Sequence, residues 1–471
     1  MAVFYKEGEK KTRPGIFQRH TNTGFDTLAG AQDGICAIPV RSNWGPLGKV
    51  LKNTLVNQLW SNYGAGTYGE GYTVPAAAEM FNGGASTVYT YRLGTGGAKA
   101  SKEIAAGLTV TAKYPGTMPI SVAVQTKIGD SSIKQFLVYA GTTQVECFEF
   151  AADSTAEGAN LIAAAAKSNY VDITGTAATV AVLAAASGAL SGGEDPAVTN
   201  ADYSTAFAAF EPYYYNTIAL DKDDDSSMTL SLLLQEYLNN AYLLGKLGII
   251  VTGQKTSVAF ETRLANAKAF NDAKVVYLGG GYKAGGEDKD GVMAICYLAG
   301  VIAATPSNKG IVHTVIKGAT DLCESLTYAQ YEDAIRAGML MVSMSPDGAI
   351  WYDAGINTLT SPETGTQDEG WKKIRRTKTR FEMIDRIDRE LMPKVGRVSA
   401  DTDGIADVVQ TGQRVLNAMV SEGKLFAGAK FVEDPANPFE GDSAWFIIQA
   451  DDIDSLEKIY LQYQFRYSQN V

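Results

Sequence analysis

GIIVTG (residues 248–253) and KVVYLGG (274–280) are short, continuous apolar runs that each stop at glycine, and residues 257–272 between them carry a helical pattern. Strands with helices on both faces read this way, because neither face meets water and no polar alternation is required. The rhythm repeats outward, with a helix expected over 225–244 ahead of the first run and another over 291–304 after the second. Upstream, ICAIPV (35–40) reads as a strand, and Leu51, Leu55, Val56 and Leu59 fall on one helical face. VPAAAEMFNGG (74–84) enters a helix at Pro75 and leaves it at Gly83, and STVYTYRL (86–93) is again a strand. Such alternation specifies an α/β sheet.

The chain has 471 residues, 45% hydrophobic and 20% charged, which is too long for one core and suits several domains that bury their own interiors. Residues 26–95 and 201–360 are read as two parts of one α/β core domain. Residues 96–200 interrupt it with short β-rich runs (LTVTAKY, ISVAVQTK, IKQFLVYA, TQVECFEF) separated by turn signals, and with a low-complexity Ala/Gly/Ser/Thr stretch, so an inserted all-β, sandwich-like domain is expected there. Residues 361–457 change composition again. GWKKIRRTKTRFEMIDRIDRELMPKV (370–395) is a densely charged helix with Phe381, Ile384 and Ile387 as its apolar stripe; a second helix is expected over 405–422, followed by strands in AKFVED and SAWFIIQA.

The two ends read as extended arms. Residues 1–25 lack helical periodicity, yet Val3, Phe4, Tyr5, Ile16 and Phe17 are costly to leave in water, which points to a docking role. Residues 458–471 contain KIYLQYQFRY, in which Ile459, Leu461, Tyr463, Phe465 and Tyr467 alternate with Tyr460, Gln462, Gln464 and Arg466. This is the clearest strand signal in the chain, and a strand with no following partner is a hazard unless another chain completes its ladder.

A net charge of -11 argues against nucleic acid as a partner. The N-terminus has charges where a signal peptide needs an apolar core, and no run approaches a membrane span, so neither export nor membrane insertion is expected. Cys36, Cys147, Cys296 and Cys323 stand far apart and read as buried free thiols, with no zinc or disulfide pattern. Catalytic chemistry finds little support. The chain has two histidines, His20 in the arm and His313 in a run read as strand, and no GxSxG elbow or GxxxxGK[ST] loop. Gly64, Gly66 and Gly69 follow a helix where a dinucleotide fingerprint must follow a strand; Gly279, Gly281 and Ala284 follow a strand, but Gly285 and Gly286 delay the helix that would hold a pyrophosphate. Asp221, Asp223, Asp224 and Asp225 fit a helix start better than an EF-hand, which needs a glycine and a distal glutamate. No catalytic, cofactor or metal residue is assigned, and the chain is not expected to be an enzyme.

TRPGIF in the first arm, VPAAAEMFNGGASTVYTYRL, the β-rich insertion, the α/β middle ending in IWYDAGINTL and the terminal strand pattern occur in an order that resembles the contractile tail sheath family of phages, R-type bacteriocins and related injection systems. The resemblance spans essentially the whole chain. It implies a subtilisin-like α/β core without the protease's catalytic residues, and stacked hexameric rings around an inner tube. It also implies arms that add strands to a sheet in a neighbour's C-terminal domain, so the five apolar residues at each end named above become expected intersubunit contacts. Because the C-terminal domain faces the tube in that family, Lys372, Arg375, Arg376 and Arg380 are the expected contacts to acidic tube residues. The implied partners are further copies of the chain, the inner tube protein, and baseplate and terminator proteins, in a virion tail or phage-like particle made in the bacterial cytoplasm. A tube or baseplate protein and a degenerate hydrolase are the alternatives.

Overall fold

The computed structural model describes residues 32–466 apart from 70, 154 and 176–179, together with the backbone of residues 3–4 and 17–18. The helices are α1 (Val56–Tyr63), α2 (Val74–Asn82), α3 (Glu157–Ala165), α4 (Asn200–Phe210), α5 (Thr229–Leu243), α6 (Phe260–Phe270), α7 (Val292–Ala304), α8 (Tyr328–Arg336), α9 (Ile374–Leu391) and α10 (Thr402–Ser421). The central sheet uses β1 (Ile35–Val40), β2 (Val50–Asn53), β3 (Thr87–Arg92), β4 (Thr217–Ala219), β5 (Ile249–Gly253), β6 (Val275–Leu278) and β7 (Met339–Leu340). Its order is β7-β6-β5-β4-β1-β3-β2, parallel throughout except for β2 at the edge.

Both faces of this sheet are covered. One carries α2 and α7 over Ile38, Val251 and Leu278, and the other carries α4, α5 and α6 over Ile218, Ile250 and Tyr277. That is why β5 and β6 are apolar without interruption. α7 is apolar all round because it is buried all round. It crosses α2 at two glycines, where a Cβ on Gly83 would strike the Tyr297 carbonyl oxygen and one on Gly300 the Met80 carbonyl oxygen.

Three sequence expectations change here. Leu51 lies in an edge strand and Leu55 is exposed, so of the supposed helical face only Val56 and Leu59 are helical. The reason is that β2 hydrogen-bonds to β3, a tertiary pairing that overrides the local period. His313 sits in a turn at φ 54°, exposed and stacked on Trp351 at 4.1 Å, because the chain must bend there before Val315 bridges Trp351. Cys36 and Cys296 are buried, but Cys147 is exposed on a strand whose outer face meets solvent.

The insertion forms two sheets about one interior of Val110, Val122, Phe136, Val138, Leu161 and Val171. It is not all-β, because the Ala-rich stretch folds as α3 and buries Leu161. Its entry and exit lie side by side, Thr95 and Ala197 exchanging backbone hydrogen bonds of 3.0 and 3.2 Å. Two core residues hold it. Trp44 packs between Tyr114 and Tyr170, and buried Arg92 donates to the carbonyls of Ser42, Gly45 and Pro115.

After the core come α9 and α10, packed through Ile387, Val415, Leu416 and Met419, and a two-stranded antiparallel sheet of β8 (Lys430–Glu433) and β9 (Phe446–Gln449). Of the expected α9 stripe, Phe381 and Ile387 are buried but Ile384 is 39% exposed. Phe431 of β8 fills the hollow left by Gly412 of α10 and lies 5.3 Å from Phe446.

Candidate functional site

Open α/β sheets bind ligands where strand order reverses, outside the carboxyl ends of the strands. Here that point lies between β1 and β4, and it is filled. Asp221, fully buried after β4, accepts hydrogen bonds from the Thr73 and Tyr203 hydroxyls, each 2.7 Å, and faces Arg41 at 3.7 Å. Burial pushes the Asp221 carboxyl up against the opposing pull of Arg41 and the two hydroxyls. The rest of the acidic run holds helix starts. Asp224 accepts from the amides of Leu230 and Ser231, Asp225 from those of Ser227 and Thr229, and Asp223 from Val292 at the start of α7. The glycine run 279–281 is a close approach of chain segments: a Cβ on Gly279 would meet Met339, and one on Gly281 would meet Asp290. Among the described residues no group of three His, Cys, Asp or Glu side chains could hold a metal ion, and no helix is long and apolar enough to cross a membrane.

The exposed apolar surface instead concentrates at the C-terminal segment. Ile459, Leu461, Tyr463 and Phe465 are 71, 70, 73 and 93% exposed, and Tyr460 is 88% exposed. The expected strand is not formed within the chain: residues 453–466 have no ladder partner among the described residues. Period-two alternation orders side chains on two faces but supplies no partner for the backbone. Tyr463 and Phe465 still stack on one face at 6.3 Å. At the other end, Val3–Phe4 pairs in parallel with Phe17–Gln18. Tyr5, Ile16 and Tyr467 lie outside the described residues, as do the side chains of Val3, Phe4 and Phe17.

The basic helix is placed differently from a face offered to a partner. Arg376 makes a two-pronged contact to Asp452 at 2.6 and 2.8 Å. Arg380 bonds both Asp452 at 3.0 Å and Asp368 at 2.8 and 2.9 Å, and lies over Trp371. Arg375 reaches Ser455 at 3.0 Å, Lys373 pairs with Glu457, and Lys372 pairs with Glu369 at 2.7 Å. Burial alone would raise the Asp452 carboxyl, but the two guanidinium groups overcome it and hold it below the usual carboxylate range. Of the four expected tube contacts, Arg375, Arg376 and Arg380 are therefore spent on the segment where the C-terminal arm begins. Sequence could not show this, because Asp452 is 76 positions from Arg376.

On another side of α9, Lys378 donates to the carbonyl oxygens of Ile302, at 2.6 Å, and Thr305, at the end of α7. Burial draws its pKa down to about 8 against the pull of Asp33 and Glu382, which leaves it cationic at neutral pH. Glu382 collects Lys424 and Arg386, each at 2.5 Å, and the Ser307 hydroxyl. β8 and β9 pair with no third strand among the described residues, and Phe426, Trp445 and Ile448 are partly exposed around them.

A mixed α/β body, with a helical and β C-terminal part packed against it and an exposed apolar segment at its end, defines a mixed α/β protein of several parts. The model for the phage tail sheath protein β-sandwich domain matches residues 95–195, and that for the phage tail sheath protein central domain matches 196–358. The phage-like element PBSX protein XkdK of Bacillus subtilis is 23% identical over 97% of this chain and 98% of its own. The crystal structure of a sheath tail protein from Desulfitobacterium hafniense covers 93% of this chain and 100% of its own, with a TM-score of 0.70 and 22% identity. The anti-feeding prophage helical sheath in its contracted state covers 97% of this chain and 99% of its own, with a TM-score of 0.53 and 10% identity. The chain belongs to the phage tail sheath family.

Proposed function

We propose that this chain is the sheath subunit of a contractile tail or injection particle. It polymerises as stacked hexameric rings around an inner tube and contracts to drive that tube through a cell envelope. The observation that carries this reading is the exposed segment 458–466, whose four alternating apolar residues, Ile459, Leu461, Tyr463 and Phe465, are more than two-thirds exposed in a chain of the sheath family. Burying each would contribute about 1.5–3 kcal/mol, and each ladder hydrogen bond about 0.5–1.5 kcal/mol.

A neighbour's β8–β9 sheet is the acceptor we assign to that segment. A lone two-stranded sheet is marginal in water, and a third strand would complete it. Residues 1–20 are assigned a matching intersubunit role. The core is subtilisin-like in this reading and serves as a rigid body. Baseplate and terminator proteins cap the ends of the polymer, which resides in a virion tail or phage-like particle. Of the expected tube contacts, Lys372 is kept, since Arg375 already faces Ser455, and Arg376 and Arg380 face Asp452.

Deleting residues 458–471 tests the reading. The truncated chain should keep the melting temperature of the full chain, because the described part of that segment is exposed, yet form no cylinders in negative-stain micrographs. Cylinders of normal length from the truncated chain would refute strand exchange.

A further inference from the structure

The two ends of the described body converge on one helix. Gly34, two residues into it, donates its amide to the Ala303 carbonyl at 2.8 Å, at the same end of α7 that Lys378 of α9 holds. Asp33 lies 3.9 Å from Lys378. The other end, Asp452 to Glu457, is held by Lys373, Arg375, Arg376 and Arg380 of the same helix and the residue before it. Residues 376 and 378 are about 200° apart around an α-helix, so the two attachments use different faces. Neither attachment is superficial. Asp452 is 8% exposed, and the Lys378 side chain is 9% exposed. Backbone bonds reinforce the second one, with Ile453 donating to the Lys424 carbonyl at 3.0 Å and Phe426 to that of Asp451 at 2.8 Å.

We propose that α9 is the junction through which tension passes between the N-terminal and C-terminal segments. A pull on one segment can reach the other through α9, alongside the path that Ile35 opens into β1 of the central sheet, and without crossing the insertion. The helix whose charge suggested an external partner is, on this view, a tie between two internal anchors. Paired charges suit the task because they fix direction: a two-pronged Arg–carboxylate contact resists rotation where an apolar contact would slide. The attachment is a property of one chain, and only the tension rests on the sheath reading.

Hydrogen exchange on the full chain, followed by mass spectrometry, tests the attachments without any polymer. Arg376→Ala/Arg380→Ala should speed exchange at Ile453 and its neighbours by at least about tenfold, with the insertion strands unchanged as the control for folding. Lys378→Met should do the same at Gly34 and Ile35; if that variant unfolds, Asp33→Asn is read instead. Wild-type exchange at either root in its own variant would overturn the junction. In assembled sheaths, contraction of either clamp variant should leave broken fragments where the wild type leaves one shortened cylinder. The exposed-pair variant Arg336→Ala on α8 should contract like the wild type. Intact contraction of both clamp variants would overturn the proposal. Failure of the wild type to form any cylinder would overturn the sheath reading and leave the exchange result standing.

Discussion

Asp452 shows how one carboxylate can organise a domain. It lies just past β9, receives two guanidinium groups, and closes an antiparallel bridge with Leu425. Asp452→Asn would leave Arg376 and Arg380 short of a charge, at a cost of about 2–4 kcal/mol of local stability. The loss should appear as earlier thermal unfolding of the C-terminal domain. The pH dependence has a definite sign. The folded carboxyl titrates below its unfolded value of about 3.9, so its contribution is fully present above that pH and disappears as pH falls through the lower folded value. Asp368, held down chiefly by Arg380, acts the same way. Release of the arm root, followed by exchange at Ile453, should therefore begin below about pH 4 in the wild type and be present already at pH 7 in Asp452→Asn.

Among elements, the α2–α7 crossing has least tolerance. Alanine at position 300 would gain up to about 1 kcal/mol in helix propensity. It would also drive a methyl into the Met80 carbonyl, and backbone cannot turn aside as a side chain can. Gly300→Ala should thus lower stability by about 1–3 kcal/mol, measured by denaturant unfolding. Such elements divide sharply in what sequence disclosed. β5, β6 and α7 were legible because uniform burial leaves an uninterrupted apolar run. β2 was not, because its membership depends on β3, and α3 was hidden in a low-complexity stretch with no polar–apolar period to reveal it. The caps made by Asp224 and Asp225 were readable because donor and acceptor are near in sequence, whereas Asp221 and Arg41 stand far apart in the chain. The charge density of α9 was plain, but the destination of its charges was not, since a cation's sequence neighbourhood says nothing about a carboxylate arriving from a later segment.

For the molecule as a whole, the insertion is expected to be a separable unit. Replacing residues 95–197 with a short glycine linker should leave a folded α/β body, because Thr95 and Ala197 are already adjacent. The excision uncovers Trp44, now 3% exposed, and deprives Arg92 of the Pro115 carbonyl. Trp44→Ser should therefore be needed to keep the shortened protein monomeric in size-exclusion chromatography, while circular dichroism should retain the helical signal. Retention of helix without that substitution, in a monodisperse monomer, would show that Trp44 matters less than its packing suggests.

That paired doorway of Thr95 and Ala197 has an evolutionary corollary. A module entering and leaving through neighbouring residues can be exchanged, enlarged or lost in one genetic event, with the rest of the subunit feeling only a local seam. Lineages carrying this architecture should consequently differ most in the insertion and least along the helix where both tails are moored.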